Sequence, residues 1–278
     1  MRLTLALASL FAASALGLTA CGDDDDGGEA AQPQVFEVQA KDKGKETGIT
    51  APDSVAPGAT EIRFTNDGQR SHSLQIVQVG EGHTVEEALK AGGSWGEKGK
   101  PLPEWVRFNG GIGSTKPGGS GSAVVDLPAG QYAAVDIDAQ SPAPYAAFTV
   151  EGDEGESLEE VPAKVEAVDY DFTATGLEAG SHRVLLQNSG EEPHHLIAAP
   201  LKPGKTVEDV KAFVKTEKGP PPIVQSKTFN TAIVSGGESE VVDLRFESGD
   251  YALLCFVSDR AGGPPHALKG MVAAATVK

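Results

Sequence analysis

Near the C-terminus of this 278-residue chain, Cys255, His266 and Met271 follow one another with ten and then four residues between them. The chain holds only two Cys and two Met. Setting aside Cys21, which belongs to an N-terminal segment described below, and the initiator, these are the sulfur atoms left for chemistry. A second imidazole stands upstream, at the end of Asn188-Ser189-Gly190-Glu191-Glu192-Pro193-His194. A soft thiolate takes copper in either oxidation state, imidazole serves both, and a distant thioether favours the reduced ion. One thiolate, two imidazoles and a weak thioether are therefore the donor types of a blue-copper centre. Taken singly, Cys255 reads as a buried thiol and Met271 as a core filler. Taken together at ordered spacing, the four residues favour copper.

These donors are distant in sequence, so the fold has to bring them together. His194 opens one predicted strand, and the Cys–His–Met stretch lies on a loop joining two later ones. A β-sandwich gathers such loops at one end. Hydrophobic content of 39% with 34 Gly and 18 Pro suits short strands joined by many turns. Alternation predicts strands near 35–39, 60–65, 73–79, 122–127, 131–137 and 145–150, and again near 166–173, 182–187, 195–199, 240–246, 250–257 and 270–277. One short helix begins at Thr84 and another at Thr206. In each the threonine caps the first turn, and Glu86-Glu87 or Glu208-Asp209 sits at its positive end. Gly- and Pro-rich loops follow at 92–104 and 216–222.

The two sets of strands arise because much of the chain is written twice. Ile62 to Leu74 (IRFTNDGQRSHSL) matches Val184 to Leu196 (VLLQNSGEEPHHL). The same offset aligns Thr84-Val85-Glu86-Glu87 with Thr206-Val207-Glu208-Asp209. Further on, Val124-Val125-Asp126-Leu127 matches Val241-Val242-Asp243-Leu244, and Gly130-Gln131-Tyr132 matches Gly249-Asp250-Tyr251. The expected organisation is a first domain at 35–151, an acidic linker at 152–164 and a second domain at 165–278. The fold class is all-β, as two tandem Greek-key β-sandwiches with one short helix each.

Ahead of them, residues 1–20 carry Arg2, an apolar run from 3 to 18 and a small-residue end, as an export signal does. The junction Leu18-Thr19-Ala20-Cys21 resembles the bacterial lipoprotein lipobox. That resemblance implies a lipidated Cys21 as the mature N-terminus, holding the protein on a membrane surface without spanning it. The alternative is an ordinary signal peptide with an incidental cysteine. Residues 21–34 read as an acidic tether; Asp23 to Asp26 form a run without fixed geometry for a metal. The expected location is extracytoplasmic, lipid-anchored to a bacterial membrane.

The second unit resembles the cupredoxins, the family of plastocyanin and azurin. In that family an N-x-G-x-x-x-H stretch supplies one histidine, here His194. A terminal G-x-Y-x-x-x-C, then H, four residues and M, supplies the rest: Gly249, Tyr251 and Cys255, then His266 and Met271. The resemblance implies that His194, Cys255, His266 and Met271 ligate copper. The ten residues between Cys255 and His266 exceed the loop of the small cupredoxins; loops nearly as long occur in copper nitrite reductases. His195 occupies a position where the family has a small polar residue bracing the cysteine loop; strand alternation turns it away from His194. In the first unit His72 matches His194, but Asp136 replaces Cys255, and residues 137–150 contain no His, Cys or Met. That unit reads as a cupredoxin-like scaffold without the metal, with His72 a structural remnant. His83 and His182 read as surface residues, and Trp95 and Trp105 as packing under the Gly/Pro-rich loop.

The implied function is electron transfer with a redox protein partner. Copper storage or delivery, or a metal-free binding module on the same scaffold, are the alternatives. An enzyme is not expected: six His with neither an H-x-H pair nor an H-C-H motif cannot build a trinuclear copper cluster. The net charge of −17 excludes a nucleic-acid partner and favours a basic docking patch.

Overall fold

The computed structural model describes residues 33–278, except 45, 97–99, 139–142 and 154. The expected export signal, Cys21 and the expected tether up to residue 32 lie outside the described residues. The first half contains strands β1 (Gln34–Lys43), β2 (Glu46–Thr50), β3 (Ser54–Val55), β4 (Gly58–Asn66) and β5 (His72–Val79), helix α1 (Val85–Ser94), then β6 (Val106–Thr115), β7 (Ser120–Leu127), β8 (Gly130–Asp136) and β9 (Tyr145–Val150). The second half contains β10 (Ala163–Val168), β11 (Asp171–Thr175), β12 (Gly180–Asn188), β13 (Ile197–Pro200), α2 (Val207–Thr216), β14 (Phe229–Asn230), β15 (Ser239–Phe246), β16 (Gly249–Leu254), α3 (His266–Lys269) and β17 (Val272–Val277).

The pairings recur. β1 runs parallel to β4 and antiparallel to β2, and β10 does the same with β12 and β11. β4 pairs with β7 as β12 pairs with β15, and β5 and β8 pair as β13 and β16 do. Each half is thus a two-sheet sandwich, and the chain is all-β. Alternation sets the inner faces: Phe36, Val38 and Ala40 of β1 are buried while Val35, Glu37 and Gln39 face solvent. Phe36, Phe64, Leu74, Ile76 and Tyr132 fill the first core. Val165, Leu186, Leu196 and Leu253 fill the second, together with Cys255 and Met271.

The two sandwiches share a sheet. β7 and β15 pair antiparallel, Val124 opposite Val241, giving the eight-stranded order β11-β10-β12-β15-β7-β4-β1-β2. Residues 155–161 run along this seam. Ala59 N–H donates to Glu156 O, and Leu158 and Val161 pack on Ala59, Val124 and Val241. On the other side β6 lies against residues 230–235: Gly110 N–H donates to Ile233 O and Ser235 N–H to Phe108 O. Glycine is required in β6, because a Cβ at Gly113 would lie 1.8 Å from Asn230 O and one at Gly111, where φ is +143°, 2.2 Å from Leu74 O.

Both helices start as predicted. Thr84 with Glu87, and Thr206 with Asp209, form complete capping boxes. The other boundaries show where local pattern fails. The stretch expected as one strand at 166–173 is a hairpin, broken at Tyr170, whose φ is +71°. The strand expected at 250–257 stops at Leu254, so Cys255 begins the following loop. The loop expected from residue 92 starts later, after α1 ends at Ser94. β2, β3, β6, β14 and α3 carry no alternation strong enough to predict.

Candidate metal centre

Asn188 and Gly190 shape the approach to His194. The Asn188 amide donates to Glu192 O (2.7 Å) and Val234 O (3.0 Å), and its Oδ1 accepts from Gly190 N–H (3.0 Å). The turn is thereby closed, and His194 then exchanges two backbone bonds with Val234. Opposite it, Cys255 sits just beyond β16. Backbone bonds close the intervening loop around its base: His266 N–H to Val257 O (2.9 Å), Ala267 N–H to Cys255 O (2.7 Å) and Met271 N–H to His266 O (3.0 Å).

These constraints bring His194, Cys255 and His266 together, all 0% exposed, with candidate donor atoms within 4.8 Å of one another. His266 Nδ1 lies 3.5 Å from Cys255 Sγ and 3.0 Å from His194 Nδ1. Each imidazole turns its other nitrogen to a carboxylate: His266 Nε2 to Asp259 Oδ1 at 2.9 Å, and His194 Nε2 to Asp169 Oδ1 at 3.3 Å. With Nε2–H committed to a carboxylate, a neutral ring presents a bare lone pair at Nδ1. Two such lone pairs 3.0 Å apart repel unless a cation lies between them. A proton is a poor candidate. Burial pushes His194 down to about 4, with the charge of His266 adding to it, and burial also lowers His266.

A metal ion suits the space. Bonds of about 2.0 Å to nitrogen and about 2.3 Å to sulfur span donor edges of these lengths. Burial pushes the Cys255 thiol up to about 11, against hydrogen bonds from the His195 and Val257 N–H groups. A cation is what would make this thiolate stable at neutral pH. The cluster fits a copper cofactor, because soft thiolate and imidazole select it over hard cations.

Met271 is 0% exposed and packs in the same core cluster as Cys255, directly after Gly270, which turns the chain at φ +111°. His195 is half-buried and accepts the Phe256 N–H at 3.0 Å, which braces the residue after Cys255. His83 stacks on Trp105 with ring centroids 3.8 Å apart, and His182 is half-buried. In the first half, His72 Nδ1 lies 2.6 Å from Asp136 Oδ2, and Asp42 Oδ1 is 3.4 Å from its Nε2. Strand register makes Asp136 the counterpart of Cys255 and Asp42 that of Asp169. A buried His72–Asp136 hydrogen bond therefore fills the first half's equivalent position.

Sequence reasoning missed Asp169 and Asp259. Both are held below the usual carboxylate range. For Asp259 burial opposes ionisation, but bonds from Lys269, Tyr170 and His266 outweigh it; for Asp169 the Glu192 and Glu191 N–H groups and His194 do the same. The repeat held a signal for one of them, since Asp42 and Asp169 each stand two residues beyond an alanine paired with the motif asparagine.

The class the geometry defines is a two-sheet β-sandwich protein with a buried His–Cys–His cluster that fits copper. No family model matches the chain and no curated protein matches it. Among solved structures it is similar to auracyanin B, with 22% identity over 44% of this chain and 93% of that one, TM-score 0.27. It is also similar to auracyanin A, a "blue" copper protein of the green thermophilic photosynthetic bacterium Chloroflexus aurantiacus, with 17% identity over 43% and 100%, TM-score 0.31. A multicopper oxidase matches at 17% identity over 89% of both chains, TM-score 0.23. The fold and the site rest on their own geometry.

Proposed function

We propose that this chain is an electron-transfer protein holding one copper ion in its second half. His194, Cys255 and His266 serve as ligands, with Met271 as the weak thioether ligand. The observation that carries the reading is the pair of Nδ1 atoms facing each other beside a buried thiol while both Nε2 atoms are tied to carboxylates. Bound copper would supply a one-electron couple. The protein's part is to hold the ligands still: Asn188 fixes the turn before His194, and His195 braces the residue after Cys255. Asp169 and Asp259 fix the two imidazole rings. Fixed ligands lower the reorganisation that electron transfer requires. Complete burial of the three donors supports retention of the ion over delivery to another protein.

In this reading the chain is a tandem duplication, with domains at 35–151 and 165–278, whose first copy exchanged its metal for the His72–Asp136 pair. It is exported and anchored through lipid on Cys21, which keeps it beside membrane redox partners. Its acidic surface favours a partner with a basic docking patch. It is a carrier and not an enzyme.

Titration of the purified full chain with Cu(II) tests this. One equivalent should produce an intense visible thiolate-to-copper band, and Cys255→Ser should abolish it without changing the far-UV circular dichroism. A persisting band in Cys255→Ser would refute the ligand assignment, and its absence in the parent protein would favour the metal-free module.

A further inference from the structure

The loop between Cys255 and His266 is long, yet two consecutive residues of it are tied down by the other half of the chain. Asp259 O accepts from the Trp95 indole N–H at 2.8 Å. Arg260 O accepts from Leu102 N–H at 2.6 Å. The Arg260 guanidinium, only 11% exposed, donates to Pro103 O (2.9 Å) and Val106 O (3.0 Å) and reaches Ser235 Oγ at 3.4 Å. Arg260 N–H donates to Glu192 Oε2 at 2.6 Å, which ties the same point to the turn before His194. Asp259 in turn holds His266 Nε2 and accepts from Tyr170 and Lys269. A continuous set of bonds therefore runs from Trp95, Leu102, Pro103 and Val106 through Asp259 and Arg260 to the ring of His266.

We infer that the first half acts as a clamp on the ligand loop, with Trp95 and Arg260 as positioning residues that set the orientation of His266 through Asp259. A ten-residue loop left free would let Asp259 drift, and the His266 ring would lose the partner that aims its Nδ1 at Cys255 Sγ. Planarity and the donor fork suit Arg260 to two backbone carbonyls at once, which lysine cannot match. The clamp also gives the first half a task that needs no metal of its own. The effect on the metal rests on the copper reading above; the effect on the loop does not.

Three variants separate the cases: Trp95→Phe, Arg260→Lys and Arg107→Gln. Arg107 bonds Glu238 and Gly236 O across the same interface without touching the ligand loop. In metal-free protein, hydrogen exchange of the backbone N–H groups of residues 256–263 should accelerate in the first two variants and stay at the parent rate in the third. With Cu(II), the first two should bind about 10–100-fold more weakly, the usual effect of losing a group that orients a ligand. They should also show a displaced visible band and reduction potential. Unchanged loop exchange in Trp95→Phe and Arg260→Lys overturns the clamp, as does an equal effect in Arg107→Gln. Faster exchange with parent affinity, band and potential overturns the positioning of His266. Faster exchange in a protein that takes up no copper leaves the clamp standing and removes the copper reading.

Discussion

Glu240 is a carboxylic acid sealed into the interface between the two halves. It is 0% exposed, its Oε2 accepts from Gly111 N–H at 2.9 Å, and its Oε1 has no hydrogen-bond partner. Burial pushes its pKa from 4.5 up to about 8, against weaker opposing hydrogen bonds from Gly111 and Thr231. The folded protein thus keeps this proton where the unfolded chain releases it. Its contribution is fully favourable below about pH 4.5, erodes as pH rises, and is lost by about pH 8. At about 1.4 kcal/mol per pKa unit, the loss reaches about 3 kcal/mol at neutral pH and approaches about 5 kcal/mol above the folded pKa. Glu240→Gln keeps the acceptor for Gly111 and removes the ionisation. Urea unfolding of the metal-free protein should show the variant gaining on the parent by about 3 kcal/mol between about pH 4.5 and neutrality. A stability difference that stays flat across that range would refute a buried, proton-retaining Glu240.

Other expectations follow from the same contacts. His72→Ala should leave copper stoichiometry at the parent value, measured by metal analysis. It should also cost about 1–3 kcal/mol in denaturant unfolding, because the buried Asp136 Oδ2 loses its hydrogen-bond partner. Thr206→Ala should cost about 1 kcal/mol by breaking the capping box of α2, read as a lower midpoint in thermal unfolding.

The elements that were legible in the sequence are those whose pattern is set locally. Glu240 to Leu244 alternate, Thr84 and Thr206 precede acidic first turns, and these elements formed where expected. The rest was fixed by distant partners. β6 carries Gly110, Gly111 and Gly113, which reads as loop; the glycines are there because Asn230 O and Leu74 O approach its backbone. The turn at Tyr170 has none of the usual Gly or Asn, so one strand was expected where there are two. At the site, residue type and order single out His194, Cys255 and His266, and the fold places them together. Asp259 and Asp169 could not be found that way, because a carboxylate's partner depends on how two loops fold. Nor could Trp95 and Arg260, whose bonds cross between halves of the molecule.

The pairing of β7 with β15 has a consequence for anyone who would cut this molecule in two. Each strand covers what would otherwise be the bare margin of the other's sheet, with backbone amides and carbonyls spent on their neighbour across the join. Expressing either half alone would uncover that margin, together with the apolar side chains of Val124 or Val241 beside it, and invite association of like with like. A protease nick at 157–160, by contrast, should leave both fragments eluting as one particle.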